Sequence, residues 1–303
     1  MPIVNAPMGG VAGGRLAAAV TAAGGLGMIG MGSTATAASL ATELAQLGQS
    51  PRFGIGLVDW VVRSQPDLLD AALAARPVLL SVSFGADLSW VDRAHAVGIL
   101  AATQVYDVET ARRAQDAGVD VLVARGSEGG GHGAIRLATL PLLDAVLDAA
   151  TVPVLAAGGI ASPRSLAAVL AAGAAGGWLG TCLSVCLEAL TGDAARDALI
   201  AAAGTDTVTT RVFDVGQRLD WPARFPSRVL RNDFVSRWAG REDTLSTDQG
   251  ANAELAAGIA AQDQRLAPVD AGQGVGMLID SRPVGVVLDE LCAGAQRLLA
   301  RWA

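Results

Sequence analysis

Along the first 185 residues, short apolar runs alternate with Ala-rich stretches that end in glycine. The runs are PIVNAPM, LGMIGM, FGIGLV, VLLSVSF, ILAATQV, VDVLVAR, VPVLAAG and GGWLGTC. Each is apolar throughout instead of at every second position, which is the pattern of a parallel strand covered on both faces. The stretches between them read as helices. RLAAAVTAAG spans Arg15 to Gly24. DVETARRAQDAG starts at the N-cap Asp107 and stops at Gly118. SPRSLAAVLAAG has Ser162 as N-cap, Pro163 at the first helical position and Gly173 as the stop. Eight strand-helix cycles predict an α/β chain folded as a (β/α)8 TIM barrel, with a doubly wound open sheet as the alternative.

After about Glu188 the rhythm stops. GDAARDALIAAAG reads as a helix, and Thr205 to Gln264 is more polar, with many Arg and Asp and with Trp221 and Trp238. The expected organisation is a barrel over 1–190, an inserted, mainly helical subdomain over 191–265, and a segment over 266–303 whose final helix packs back on the barrel.

Composition narrows the chemistry. The 303 residues are 51% hydrophobic but only 4% aromatic, so the core is built mostly from Ala, Val and Leu. The net charge is −7 and every basic residue is Arg, with no Lys at all. The acidic balance argues against nucleic acid as a partner. The missing lysine excludes Schiff-base catalysis and a Walker-type phosphate loop. The opening MPIVNAPMGG lacks the basic start and apolar run of a signal peptide, and no apolar stretch reaches membrane-spanning length. Three cysteines are too few for a disulfide framework. A soluble, cytoplasmic protein without a membrane partner is expected.

In such a barrel, chemistry sits at the C-terminal ends of the strands. The seventh run ends in AGGI and the eighth in LGT, the two positions where this fold holds phosphate. Gly158, Gly159, Gly180 and Thr181 are the candidate cradle, the threonine adding a hydroxyl. After the sixth run comes GSEGGGHG, where Gly129, Gly130, Gly131 and Gly133 surround His132. A flat ligand can lie against such a backbone while the imidazole reaches one face of it as base, donor or cation. Glu128 could orient that ring or cap a neighbouring turn. The other histidine, His95, sits in a helical stretch and reads as structural. No second His or Cys lies near His132, so no metal site is expected. Cys182 and Cys186 share a helix face and read as small buried residues.

The set PIVNAPMGG…LAAAVTAAGGLGMIG, GSEGGGHG, VPVLAAGGI and GGWLGTCL, with RVLRND and PVDAGQGVGMLID further on, resembles the FMN-dependent nitronate monooxygenase family, formerly called 2-nitropropane dioxygenases. The resemblance implies FMN at the strand ends. Ala6, Pro7 and Met8 would lie against the isoalloxazine, Gln104 would approach the ring or ribityl chain, and Gly130 would touch the cofactor. Gly158, Gly159, Leu179, Gly180 and Thr181 would hold the phosphate, with His132 as the catalytic residue on the substrate side. The implied reaction is oxidation of an alkyl nitronate, an anionic small molecule, or of its parent nitroalkane, by O2; a homodimer is compatible with it. Three positions depart from the family's pattern: Gly56 where Asn is common, Arg125 where Gln is common, and Asn5 where Gln is frequent. A cation at Arg125 could face the flavin or an acidic substrate, and Arg211, Arg228 and Arg231 could do the same from the inserted part. Two rival readings are a flavin reductase of the same superfamily that takes hydride from NAD(P)H, acting on enoyl-acyl-carrier protein or quinones, and a non-redox phosphate-binding barrel.

Overall fold

The computed structural model describes residues 1–48, 50 and 52–301. Its strands are β1 (Ile3–Asn5), β2 (Met28–Gly30), β3 (Gly54–Val58), β4 (Leu79–Ser83), β5 (Leu100–Val105), β6 (Val121–Arg125), β7 (Gly131–His132), β8 (Val154–Ala157), β9 (Gly176–Leu179), β10 (Thr207–Thr210) and β11 (Ser227–Leu230). Eight of them form one parallel sheet in the order β1-β9-β8-β6-β5-β4-β3-β2. These are the eight apolar runs of the sequence, and every barrel strand is buried except at the first residues of β5 and β6 and at Gln104.

The seam between β1 and β2 closes the sheet into a TIM barrel. Val4 bridges Leu26 in parallel, and the Leu26 N–H donates to the Ile3 carbonyl at 2.9 Å. One turn along, a side chain replaces the ladder. Asn5, fully buried, accepts from the Met28 N–H at 2.6 Å and donates through Nδ2 to the Met28 carbonyl at 2.8 Å. An amide side chain carries the same donor and acceptor as a peptide group, so Asn5 completes the strand pairing there.

Two apolar layers follow from the strands. Val4, Met28, Leu79, Ala102, Val123, Leu155 and Trp178 fill the inside of the barrel. The larger cluster lies between the strands and the ring of helices. The helices begin where capping chemistry sits: Asp107 and Thr110 form a capping box at Val108–Asp116, and Ser162 and Ser165 form one at Pro163–Ala171. Both end at glycines of positive φ, Gly118 at 86° and Gly173 at 106°.

The helix Val284–Leu299 packs against the helix that follows β8 (Pro163–Ala171) and the helix that follows β1 (Gly14–Ala22). That place belongs to the eighth barrel helix, so about a hundred residues separate strand β9 from its helix. Contact is close: a Cβ on Gly294 would come 2.6 Å from Pro163 Cβ. The intervening segment is not only helical. β10, β11 and β7 form a three-stranded antiparallel sheet, in which Ser227 pairs with His132 and Arg228 with Gly131. A separate core of Val212, Phe213, Phe234, Trp238, Leu245 and Leu255 packs the helices of this segment together.

Candidate functional site

The residues that follow the barrel strands line one cavity of about 860 Å³ at the C-terminal face. Ala6, Pro7, Met8, Gly56, Gln104, Arg125, Gly130, His132, Gly158, Gly159, Gly180 and Thr181 all face it. Leu179 does not: its side chain is in the core, and its carbonyl accepts from the Ala6 N–H at 2.7 Å. Trp178 forms part of the floor. The size is in the range of cavities that hold a cofactor-sized ligand.

The loop after β8 and the one after β9 meet on one side. Gly158 and Gly159 have φ of 107° and 70°, a backbone conformation that glycine adopts without strain. The N–H groups of Gly159, Gly180 and Thr181 have no partner among the described residues. The Thr181 hydroxyl accepts from the Gly272 N–H at 2.9 Å, which leaves its own proton to donate. Unpaired amides and a hydroxyl at a cavity wall are what a phosphate needs.

Gly56 has a physical reason. A Cβ there would run into the Pro7 ring, so Pro7 occupies the space that a larger residue in β3 would need. Gln104 is oriented from behind: the Tyr106 hydroxyl donates to its Oε1 at 3.0 Å, which leaves the NH2 end as its free donor. Burial pushes the Tyr106 phenol above its ordinary pKa, so it remains that donor.

Arg125 does not act as a free cation toward a ligand. It is 6% exposed. Its Nη2 donates to the carbonyls of Gly129 at 2.8 Å, Gly130 at 3.1 Å and Gly131 at 3.0 Å, and Nη1 to Gly126 at 3.3 Å. The guanidinium is the core around which the glycine loop folds. This also explains the glycines: a Cβ at Gly129 would lie 2.8 Å from Arg125 Nε, and one at Gly133 would overlap the guanidinium. A Cβ at Gly130 would lie 2.5 Å from the Gly272 nitrogen, and Gly131 has φ of 68°. The glycines thus make room for Arg125 and for the 270–272 backbone. Burial lowers the Arg125 pKa, with Tyr106 as the largest opposing influence, but arginine stays charged in proteins. Glu128 does not orient His132; its Oε2 accepts from the Thr139 N–H and hydroxyl, both at 2.8 Å, and so caps the helix Thr139–Ala149. Arg228 donates to the Ser127 carbonyl and the Thr207 hydroxyl, and Arg211, Arg228 and Arg231 are absent from the cavity wall.

His132 is held on three sides. Its Nε2 lies 2.8 Å from Asp214 Oδ1, with side-chain exposures of 15% and 5%. Its ring stacks on Trp221, centroids 3.5 Å apart and planes within 5°. Trp221 is pinned by its Nε1–H, which donates to the Ser33 hydroxyl at 2.9 Å, and by edge contacts to Phe84 and Trp60. Phe84 keeps φ of 74°, a strained value for a bulky residue at a site wall. Third, the β11 pairing fixes the His132 backbone. Beside it, Asp270 opens onto the cavity and accepts from the Ser227 hydroxyl at 2.7 Å. Protein atoms crowd this carboxylate despite its open face. Their desolvation pushes its pKa up, and His132 opposes the shift.

Asp214, Trp221 and Asp270 line the cavity and Tyr106 stands behind Gln104, roles that the sequence assigns to none of the four. Asp214 is 82 positions from His132, in a stretch that reads as a polar helix. His95 instead pairs with Asp120 at 2.8 Å on the outer surface. Cys182 and Cys186 are buried thiols, each pushed by burial to about 12. Among the described residues no group of three or more His, Cys, Asp or Glu is placed to hold a metal, and no helix is long and apolar enough to cross a membrane.

Comparison with known proteins gives this geometry a family. The chain is 40% identical over 175 residues to a putative monooxygenase of Mycobacterium tuberculosis, covering 56% of this chain and 44% of that protein. It is 32% identical over 248 residues to (3aS,4S,5R,7aS)-5-hydroxy-7a-methyl-1-oxo-octahydro-1H-indene-4-carboxyl-CoA dehydrogenase of Rhodococcus jostii, covering 78% of this chain and 64% of that one. It thus spans less than two thirds of either relative. A nitronate monooxygenase of Neurospora crassa is 29% identical, with 95% of this chain and 87% of that protein covered. Among solved structures, FabK from Thermotoga maritima superposes with a TM-score of 0.87 at 26% identity, over 99% of this chain and 94% of that one. The nitroalkane oxidase from Streptomyces ansochromogenes superposes with a TM-score of 0.83 at 29% identity, over 100% and 98%. The family model described as nitronate monooxygenase matches residues 64–294. The chain belongs to the nitronate monooxygenase family of oxidoreductases.

Proposed function

We propose that this chain binds FMN in the cavity and oxidises a small nitro compound, an alkyl nitronate or its parent nitroalkane, with O2 as the oxidant. The observation that carries the reading is the layout of the cavity. It has unpaired N–H groups on one wall and a doubly braced histidine on another. FMN, when bound, supplies the electron-accepting ring of the reaction.

The chain's own residues have separable tasks. Gly159, Gly180 and Thr181 bind the phosphate through backbone N–H groups, and the Thr181 hydroxyl adds a donor. Ala6, Pro7 and Met8 give the ring an apolar wall. Gln104 donates through its NH2 end, fixed by Tyr106. Arg125 keeps the Gly129–Gly131 backbone rigid beneath the ligand. His132 presents a ring nitrogen to the substrate, and the stack on Trp221 shields one of its faces from water.

A second reading, reduction of the flavin by NADH or NADPH, draws support from the superposition on FabK. One experiment decides between them. Purified protein, loaded with FMN, is mixed anaerobically with ethyl nitronate, with nitroethane, and with each nicotinamide. Loss of flavin absorbance with a nitro compound alone is the expected outcome. Loss with a nicotinamide alone moves the activity to the reductase reading, and failure to bind FMN removes both.

A further inference from the structure

The Asp214 carboxylate is out of place in a purely structural account. It is buried at 5% side-chain exposure and sits on the helix Val212–Gln217. It bonds through Oδ1 to His132 Nε2, while its Oδ2 has no partner among the described residues. A buried carboxylate with one oxygen unpaired costs free energy that an apolar residue would not.

Resting on the reading above, we infer that Asp214 is the positioning residue that makes His132 a general base, so that the enzyme takes the neutral nitroalkane and ionises it in place. An ionised carboxylate only accepts hydrogen bonds. Its bond to Nε2 therefore holds the proton on Nε2 and leaves Nδ1 with the free lone pair. In the step, the bond between the nitro-bearing carbon and its hydrogen breaks and the proton goes to Nδ1. The electron pair spreads from carbon onto the nitro group, which becomes the nitronate. The ring gains a positive charge that Asp214 faces directly, the same division of labour as in other histidine–carboxylate pairs. Trp221 fixes the ring plane, and the bond from Nε2 to Asp214 fixes which edge of the ring carries Nδ1.

The charges around His132 favour a neutral substrate. Asp214 comes from the helix Val212–Gln217 and bonds the ring directly, and Asp270, from the segment after Val269, lines the same cavity. The basic groups on the neighbouring strands are committed elsewhere, Arg125 to loop carbonyls and Arg228 to Ser127 and Thr207. A preformed nitronate anion would approach the buried Asp214 carboxylate, and Arg125, the one arginine on the cavity wall among the described residues, is committed to loop carbonyls.

The test separates proton transfer from oxidation. The FMN-loaded protein is incubated anaerobically with nitroethane in D2O, and exchange of the α-hydrogens is followed by NMR. Asp214→Asn, which keeps shape but not charge, is compared with wild type, with circular dichroism and flavin content reporting folding. The expected result is acceleration of exchange by wild type and a loss of at least about a hundredfold in Asp214→Asn, the usual weight of a general base. Aerobic kcat/KM is expected to fall at least about tenfold further with nitroethane than with ethyl nitronate. Asp214→Glu, which restores the charge one bond away, is expected to regain part of the exchange. Equal losses on both substrates, or undiminished exchange in Asp214→Asn, would overturn the inference. Exchange without any oxidation would instead overturn the proposed function and leave the base in place.

Discussion

Arg125 shows how one side chain can organise a loop that contains almost no others. Its guanidinium gathers four backbone carbonyls, and the glycines above it are the consequence. Arg125→Met keeps the length and removes the donors. It should destabilise the protein by roughly 3 kcal/mol or more, because buried carbonyls lose charged partners. Urea midpoints would measure the loss, and hydrogen exchange should accelerate across Gly129–Gly133. His132 was legible in the sequence because glycines isolate it. The reason for those glycines was not, because the residue that excludes side chains lies beneath the loop. Nor was the identity of its partner legible: Asp214 and Trp221 are brought to His132 only by folding of the segment between β9 and the helix Val284–Leu299, and a helical Asp in a polar stretch carries no mark of its destination.

Among the elements, the barrel strands were legible because both faces of each are buried, which leaves an unbroken apolar run. The capping boxes at Asp107 and Ser162 were readable for a local reason, since cap chemistry lies within four residues. Asp107→Ala and Ser162→Ala should each cost about 1 kcal/mol in equilibrium unfolding. The small sheet is not legible in the sequence because its strands are short and mutually distant. β7 is two residues inside a glycine loop, and its partner β11 comes more than ninety positions later, so no hairpin turn announces the pairing. In the sequence Asn5 stands out only as a departure from the resembled family's pattern, whereas its task is to pair β1 with β2 at the seam. Asn5→Ala should cost about 3 kcal/mol, combining a small cavity with orphaned Met28 backbone groups. A shift in urea midpoint well below that would mean that backbone pairing at Leu26 alone closes the barrel.

At the scale of the whole molecule, the acidic, lysine-free composition argues against amine chemistry in the barrel but says nothing about where two buried thiols matter. Cys182 and Cys186 titrate near 12 in the folded protein, against an ordinary 9.0, because burial disfavours the thiolate. The unfolded chain therefore loses these protons first as pH rises. Their stabilising contribution is full below pH 9 and is lost between about 9 and about 12. Urea unfolding at pH 8 and pH 10.5 should show the decline, and Cys182→Ala with Cys186→Ala should flatten it. In the native protein neither thiol should react with a disulfide reagent at pH 8.

The position of the helix Val284–Leu299 has a consequence for biosynthesis. It fills the gap between the helices after β1 and β8, yet it is translated about a hundred residues after the strand it follows in the barrel. Until it emerges from the ribosome, the nascent barrel has one bare apolar flank between the helices after β8 and β1. Contacts between sequence-distant segments form slowly, and exposed apolar faces invite association. The ring of helices therefore closes only after synthesis of the segment that brings Asp214 to His132, so that a barrel with a finished wall already carries its histidine's partner.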